Sequence, residues 1–234
     1  MAMEYYRNVH ELIGRTPLVE ITRFPLPEGV RLFAKLEFYN PGGSVKDRLG
    51  QELVREALES GKLSEGGTIV EPTAGNTGIG LALAALGKNI KVIFCVPEKF
   101  SIEKQEIMKA LGAQIVHTPT EEGMEGAIRK AKALVQEIPG AYMPGQFENP
   151  ANPKTYYKTL GPEIWEQTDG KVSVFVAGAG SGGTFMGTAE FLKEQNPRMK
   201  TVIVEPEGSI LNGGPPGSHR TEGIGMEFLP PFMD

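Results

Sequence analysis

Leu49, Leu53, Val54, Ala57 and Leu58 recur at the spacing of one helical face, and Gly61 follows as a stop. Residues 68–71 then read as a strand ended by Pro72, and residues 78–86 as a compact small-residue helix closed by Gly87. Residues 91–96 make a second strand. Ser101 is placed to cap a helix whose apolar stripe includes Ile107, Met108 and Leu111. Residues 114–116 make a third, short strand, and Met124, Ala127, Ile128, Ala131 and Val135 mark another amphipathic helix. A turn-rich stretch over residues 139–153 suits a crossing between two lobes. Beyond it the pattern predicts a strand over 172–176, a helix over 184–193, a strand over 201–204 and an irregular stretch over 208–231. Such alternation predicts an α/β fold, with parallel sheet covered on both faces.

Composition narrows the functions. The 234 residues are 40% hydrophobic and 23% charged, ordinary for a globular protein large enough to bury a core. A net charge of -5 without any Lys/Arg run argues against nucleic acid as a partner. The longest apolar stretches, such as residues 79–86, are too short to span a bilayer, and residues 1–6 do not resemble a signal peptide, so a cytoplasmic protein is expected. Cys95, the single cysteine, lies in a strand-like apolar run and is expected to be buried and inert. His10, His117 and His219 lack metal-ligand spacing, and no metal site is expected.

Three polar segments interrupt this pattern. In Asn40-Pro41-Gly42-Gly43-Ser44-Val45-Lys46-Asp47-Arg48, a lysine follows a Gly/Ser turn at a helix start, where the helix dipole disfavours its charge. A Schiff-base lysine needs such a lowered pKa, although a lone lysine reads more simply as a solvated surface residue. In Ala177-Gly178-Ala179-Gly180-Ser181-Gly182-Gly183-Thr184, a strand passes into a helix through a turn whose N–H groups suit a phosphate. Gly178, Gly180 and Gly183 also satisfy G-x-G-x-x-G, with Glu205 at the end of the next strand, as a dinucleotide site would. Against that reading, the turn lies late in the chain, its Ser181 and Thr184 hydroxyls suit a terminal phosphate, and Lys46 stays unexplained. In Glu71-Pro72-Thr73-Ala74-Gly75-Asn76-Thr77-Gly78, hydroxyls, an amide and loop N–H groups suit a small carboxylate, or an ordinary helix cap. An amino acid and a phosphorylated aldehyde cofactor would use all three segments.

These residues, together with Ile13-Gly14-Arg15-Thr16-Pro17-Leu18, Gln146-Phe147-Glu148-Asn149-Pro150-Ala151-Asn152 and Gly161-Pro162-Glu163-Ile164-Trp165, resemble the fold-type II pyridoxal-phosphate enzymes that include cysteine synthases and cystathionine β-synthases. Gly42 to Arg48, residues 206–211 and Glu222-Gly223-Ile224-Gly225 lean toward the cystathionine branch, and within it toward the bacterial enzymes that use O-acetylserine. The resemblance implies a two-lobed fold of mostly parallel sheets, with a small mobile lobe over 41–145 and a large cofactor-binding lobe over 1–40 plus 146–234. It implies β-replacement joining O-acetylserine or serine to homocysteine. Sulfide in place of homocysteine, or a catalytically silent binding protein, are the competing expectations.

By the same resemblance, Lys46 would anchor pyridoxal phosphate and shuttle a proton at the substrate α carbon, and Asn76 would bond the cofactor ring hydroxyl. Gly180, Ser181, Gly182, Gly183 and Thr184 would hold the phosphate. Thr73, Ala74, Gly75, Thr77 and Gln146 would hold the substrate carboxylate, with Gly223 facing the substrate from the other lobe. Ala74 stands where many relatives carry serine, which removes one side-chain bond. No heme is expected, because the ligand-bearing segment of heme relatives has no counterpart. A homodimer is expected, as is a large lobe left incomplete at residue 234, without the segment that supplies a partner to the cofactor's pyridine nitrogen.

Overall fold

In the computed structural model, which describes residues 5–226 and 228–233, two short antiparallel strands, β1 (Leu18–Glu20) and β2 (Phe33–Lys35), precede helix α1 (Lys46–Glu59). The chain then alternates through β3 (Thr68–Pro72), α2 (Asn76–Ala85), β4 (Lys91–Pro97), α3 (Ile102–Ala110), β5 (Gln114–Thr118), α4 (Gly123–Glu137) and β6 (Ala141–Tyr142). The four strands form one parallel sheet in the order β5-β4-β3-β6.

Period-two alternation divides this sheet between two packing faces. Ile69, Val92, Phe94 and Val96 join Leu49 and Leu53 of α1, Leu81 of α2 and Met108 of α3 in the main core. Val70 and Cys95 point the other way and pack on Ala127 and Ala131 of α4. Helices α2 and α3 carry the chain outward from β3 to β5. Helix α4 then carries it back across the opposite face to set β6 beside β3. Strand order therefore reverses between β3 and β6, and ligand clefts in α/β sheets open at the carboxyl ends of strands at such a reversal.

Helices α1 and α2 cross closely because glycines meet there. A Cβ on Gly50 would collide with the backbone of Gly80, and one on Gly80 would collide with the carbonyl of Lys46. The Lys46 segment and the turn over residues 73–78 thus lead into helices in backbone contact.

Beyond β6 come α5 (Ala151–Lys158), α6 (Leu160–Gln167), β7 (Val174–Gly178), α7 (Gly183–Gln195) and β8 (Lys200–Val204), with β7 and β8 paired in parallel. Helix α5 begins inside the turn-rich stretch over residues 139–153, and α6 follows it. Asn149 starts α5 by accepting the Ala151 N–H at 2.9 Å, and Pro162, lacking an N–H, sits in the first turn of α6, where none is needed. Strands β1, β2 and β6, of two or three residues each, are too short to show a period. Helix α2 begins at Asn76 rather than at residue 78, and β7 lies two residues later than the apolar run suggests. In α3, Met108 is buried as expected, whereas Ile107 is 47% exposed. Cys95 is buried, and burial pushes its thiol up to about 11.

Among the described residues no helix is long and apolar enough to cross a membrane, and no group of three His, Cys, Asp or Glu side chains is placed to hold a metal.

Candidate active site

Lys46 is the first residue of α1, and its setting is fixed from both sides. The Lys46 N–H donates to Ser44 Oγ at 3.1 Å, and the Asp47 carboxylate closes the preceding turn by accepting the Gly42 N–H at 2.5 Å. Arg48 is buried and anchors the segment through forked bonds. It donates to Glu37 at 2.8 and 2.9 Å and to Glu163 of α6 at 2.6 and 2.8 Å.

The Lys46 side chain enters a cavity of about 450 Å³ lined also by Gly178, Gly180, Ser181, Gly182, Thr184 and Gly223. Its Nζ lies 3.5 Å from Ser181 Oγ and forms no ion pair among the described residues. Burial pushes the Lys46 pKa down to about 8. Enclosure of the ammonium is thus the cause of the depression expected from its position at a helix start.

The glycine turn opposite is cramped where side chains would sit. A Cβ on Gly180 would lie 2.5 Å from the Gly223 carbonyl oxygen, one on Gly183 would run into Oδ1 of Asn152, and Gly182 is left-handed at φ 84°. Among the described residues, the N–H groups of Gly180, Ser181, Gly182 and Gly183 donate to no protein acceptor, and they stand at the N-terminus of α7. Four free donors, a helix dipole and two hydroxyls in a cradle that a Cβ would fill fit a phosphate group, and an enclosed amine across the same cavity fits an aldehyde. The residues present therefore suit pyridoxal phosphate. Gly223 is tied to the nest because the neighbouring Gly225 N–H donates to the Ala179 carbonyl at 3.0 Å.

Thr73, Ala74, Gly75, Asn76, Thr77 and Gln146 stand apart from the walls of this cavity, at the β3/β6 reversal. The Thr77 hydroxyl donates to Gln146 Oε1 at 2.8 Å, which leaves the Gln146 amide nitrogen without a partner among the described residues. Among the described residues the N–H groups of Asn76 and Thr77 likewise have no protein acceptor, and the half-buried Asn76 side chain has no hydrogen-bond partner.

Two residues without an expected role connect these places. Asn152, fully buried at the start of α5, donates through Nδ2 to the Gln146 carbonyl at 2.7 Å and to Ser181 Oγ at 2.9 Å. Glu71, fully buried at the end of β3, accepts the N–H groups of Gly145 at 2.9 Å and Gln146 at 3.0 Å. Burial raises its carboxyl to about 7. A charge beside the apolar Ile69-Val70 pair of a strand was the available signal for Glu71, whereas nothing distinguished Asn152 from its Asn- and Pro-rich neighbours.

The dinucleotide reading of the glycine turn loses its acidic residue. Glu205 accepts the Leu211 N–H at 3.2 Å and so serves its own loop.

A family model described as pyridoxal-phosphate dependent enzyme matches residues 9–230. The chain is 64% identical over 232 residues to an O-acetylserine dependent cystathionine beta-synthase of Bacillus subtilis (strain 168), covering 99% of this chain and 76% of that one. It is 57% identical over 229 residues to a cysteine synthase of Helicobacter pylori (strain ATCC 700392 / 26695), covering 97% of this chain and 75% of that one. The crystal structure of an O-acetylserine dependent cystathionine beta-synthase from Helicobacter pylori superposes with a TM-score of 0.95 at 56% identity, covering 99% of this chain and 76% of that one. Matched by the family model over residues 9–230 and by these relatives over nearly its whole length, the chain belongs to the pyridoxal-phosphate dependent enzyme family.

Proposed function

We propose that the protein makes cystathionine by β-replacement, joining the β carbon of O-acetylserine to the sulfur of homocysteine with release of acetate. The observation that carries the reading is the enclosed Lys46 amine facing the free N–H groups of the 180–183 turn across one cavity. The name of the Bacillus subtilis relative supports the choice of substrates.

When bound, pyridoxal phosphate supplies an electron sink for negative charge at the substrate α carbon. Lys46 Nζ would hold its aldehyde carbon, and as a free amine would take the substrate α proton and later return it. A pKa near 8 keeps a useful fraction of this amine neutral. Gly180, Ser181, Gly182, Gly183 and Thr184 would hold the phosphate, and Asn76 would bond the ring hydroxyl. Thr73, Ala74, Gly75, Thr77 and Gln146 grip the substrate carboxylate at the N-terminus of α2, which orients the α C–H bond for proton loss. Because the Thr77 hydroxyl is committed to Gln146, Thr77 contributes its backbone N–H to this grip. Gly223 faces the substrate from the opposite wall. Residues 41–145 form the small lobe, and its closure over residues 1–40 and 146–234 excludes water. The family resemblance supports a cytoplasmic homodimer, which sedimentation and cell fractionation test.

The Helicobacter pylori relative named cysteine synthase favours a second reading, with sulfide as the thiol. Both are tested by supplying the cofactor-loaded protein with O-acetylserine and either homocysteine or sulfide, and quantifying cystathionine and cysteine by mass spectrometry. A higher kcat/KM for homocysteine is expected. A higher value for sulfide replaces the first reading with the second, and neither product overturns both.

A further inference from the structure

Glu71 lies near the carboxyl end of β3, where the strand order reverses, and no cation pairs with it among the described residues. Its two carboxylate oxygens each take one of two consecutive N–H groups, Gly145 at 2.9 Å and Gln146 at 3.0 Å. A fork of this kind sets both the position and the direction of a short strap of backbone, because two adjacent donors must converge on one plane. The strap is the segment directly after β6, which itself pairs with β3 through only two residues. With so little ladder, side-chain bonds must hold the strap. The Gln146 side chain continues the arrangement, since its Oε1 accepts the Thr77 hydroxyl at 2.8 Å and its amide nitrogen has no partner among the described residues. On the far side, the Gln146 carbonyl accepts from Asn152 at 2.7 Å.

We propose that Glu71 is the positioning residue of the substrate-carboxylate site: it touches no substrate, but its fork on Gly145 and Gln146 aims the Gln146 amide. This rests on the reading that Gln146 binds the carboxylate of the amino-acid substrate. The site is therefore built from β3 and the post-β6 strap together, and a residue 75 positions upstream determines the reach of Gln146. Glutamine at position 71 keeps the shape but offers one acceptor instead of two and turns an NH₂ toward a backbone N–H. Aspartate keeps both acceptors on a stem one methylene shorter.

The test compares Glu71→Gln, Glu71→Asp, Gln146→Ala and the double variant Glu71→Gln/Gln146→Ala. In the cofactor-free proteins, amide hydrogen exchange at Gly145 and Gln146 is expected to quicken at least roughly tenfold in Glu71→Gln, with the rest of β3 and β4 unchanged. In the loaded enzyme, KM for O-acetylserine is expected to rise roughly tenfold or more in Glu71→Gln and less in Glu71→Asp, with kcat changing less and the cofactor affinity unchanged. The double variant is expected to match Gln146→Ala, because a residue that acts through Gln146 has nothing left to position. A raised KM in Gln146→Ala together with an unchanged KM in Glu71→Gln overturns the proposal alone. An unchanged KM in Gln146→Ala removes the reading of Gln146 and the proposal with it. Exchange that quickens throughout the sheet makes Glu71 a general stabiliser and likewise overturns the proposal, whether or not the variants remain active.

Discussion

Lys46 Nζ lies 3.5 Å from Ser181 Oγ across 135 positions of sequence, and the same hydroxyl oxygen accepts from Asn152 at 2.9 Å. An oxygen that accepts from two donors still carries its own proton, so Ser181 keeps an O–H to give to an anion in the cavity. The lysine, the glycine turn and the strap at Gln146 are thereby linked through one serine and one asparagine. Several consequences are measurable.

Lys46→Ala removes the amine that lies 3.5 Å from Ser181 Oγ in this cavity; Lys35 also lines it, but its Nζ is taken up by the Thr16 carbonyl, Glu163 and Gln167. Loss of a general acid and base lowers rates by about 10² to 10⁴, and loss of covalent anchoring adds to this. Turnover of O-acetylserine in the presence of added pyridoxal phosphate is expected to fall below detection, and near-normal rates in this variant would remove Lys46 from the mechanism.

The depressed pKa of Lys46 is visible without any reaction of substrate. In the cofactor-free protein, a small amine reagent should modify Lys46 with a midpoint near pH 8, the value to which burial lowers it. Peptide mapping by mass spectrometry follows each lysine separately. A midpoint close to the ordinary lysine value of about 10.4 would mean that the ammonium is solvated.

The same shift has a sign in stability. The folded value lies below the unfolded one, so the unfolded chain binds the extra proton between about pH 8 and pH 10.5, and stability rises with pH through that window. Comparing urea midpoints of the cofactor-free wild type and Lys46→Met from pH 7.5 to 10.5 isolates this contribution. The variant should gain most at the low end of the range, and a difference independent of pH would refute the assignment.

Gly80→Ala forces a methyl group into the carbonyl of Lys46. Overpacking of this kind costs about 1–3 kcal/mol. Because both helices must separate at the point where Lys46 begins α1, cofactor affinity should weaken along with the denaturation midpoint. A variant with unchanged midpoint and affinity would show that the helix contact is looser than the glycines imply.

Glu163 is held well below the ordinary carboxylate range, to about 2: burial raises its pKa, but bonds from Arg48, Lys35 and the Arg15 N–H outweigh it. Its folded value lies below its unfolded one, so its stabilisation is complete above about pH 4.5 and is lost as pH falls from there toward 2. The difference in urea midpoint between wild type and Glu163→Gln should therefore be largest above pH 5 and shrink steadily toward pH 2. A difference that grows on acidification would reverse this account.

Element by element, what was legible in the sequence follows from how local each signal is. The helix from Lys46, the capped helix after Ser101 and the strands around Ile69 and Phe94 carry periods and stop signals within a dozen residues, and the structure has them. Helix α5 was hidden because Asn149 and Pro150 start a helix with the same residues that make a turn. Strands β1, β2 and β6 exist through pairing alone, which no run of two or three residues can display.

The chemistry divides in the same way. The sequence predicts an α/β fold and carries a lysine after a Gly/Ser turn and a glycine turn before a helix, local motifs on which its resemblance to pyridoxal-phosphate enzymes rests. Only the tertiary structure decides that burial lowers the Lys46 pKa, that Glu205 turns to Leu211, and that Glu71 and Asn152 hold Gln146 between them. Desolvation and the pairing of distant side chains depend on which strands and helices become neighbours, and the reversal of strand order beside β3 that creates this site is a property of the whole sheet rather than of any one segment.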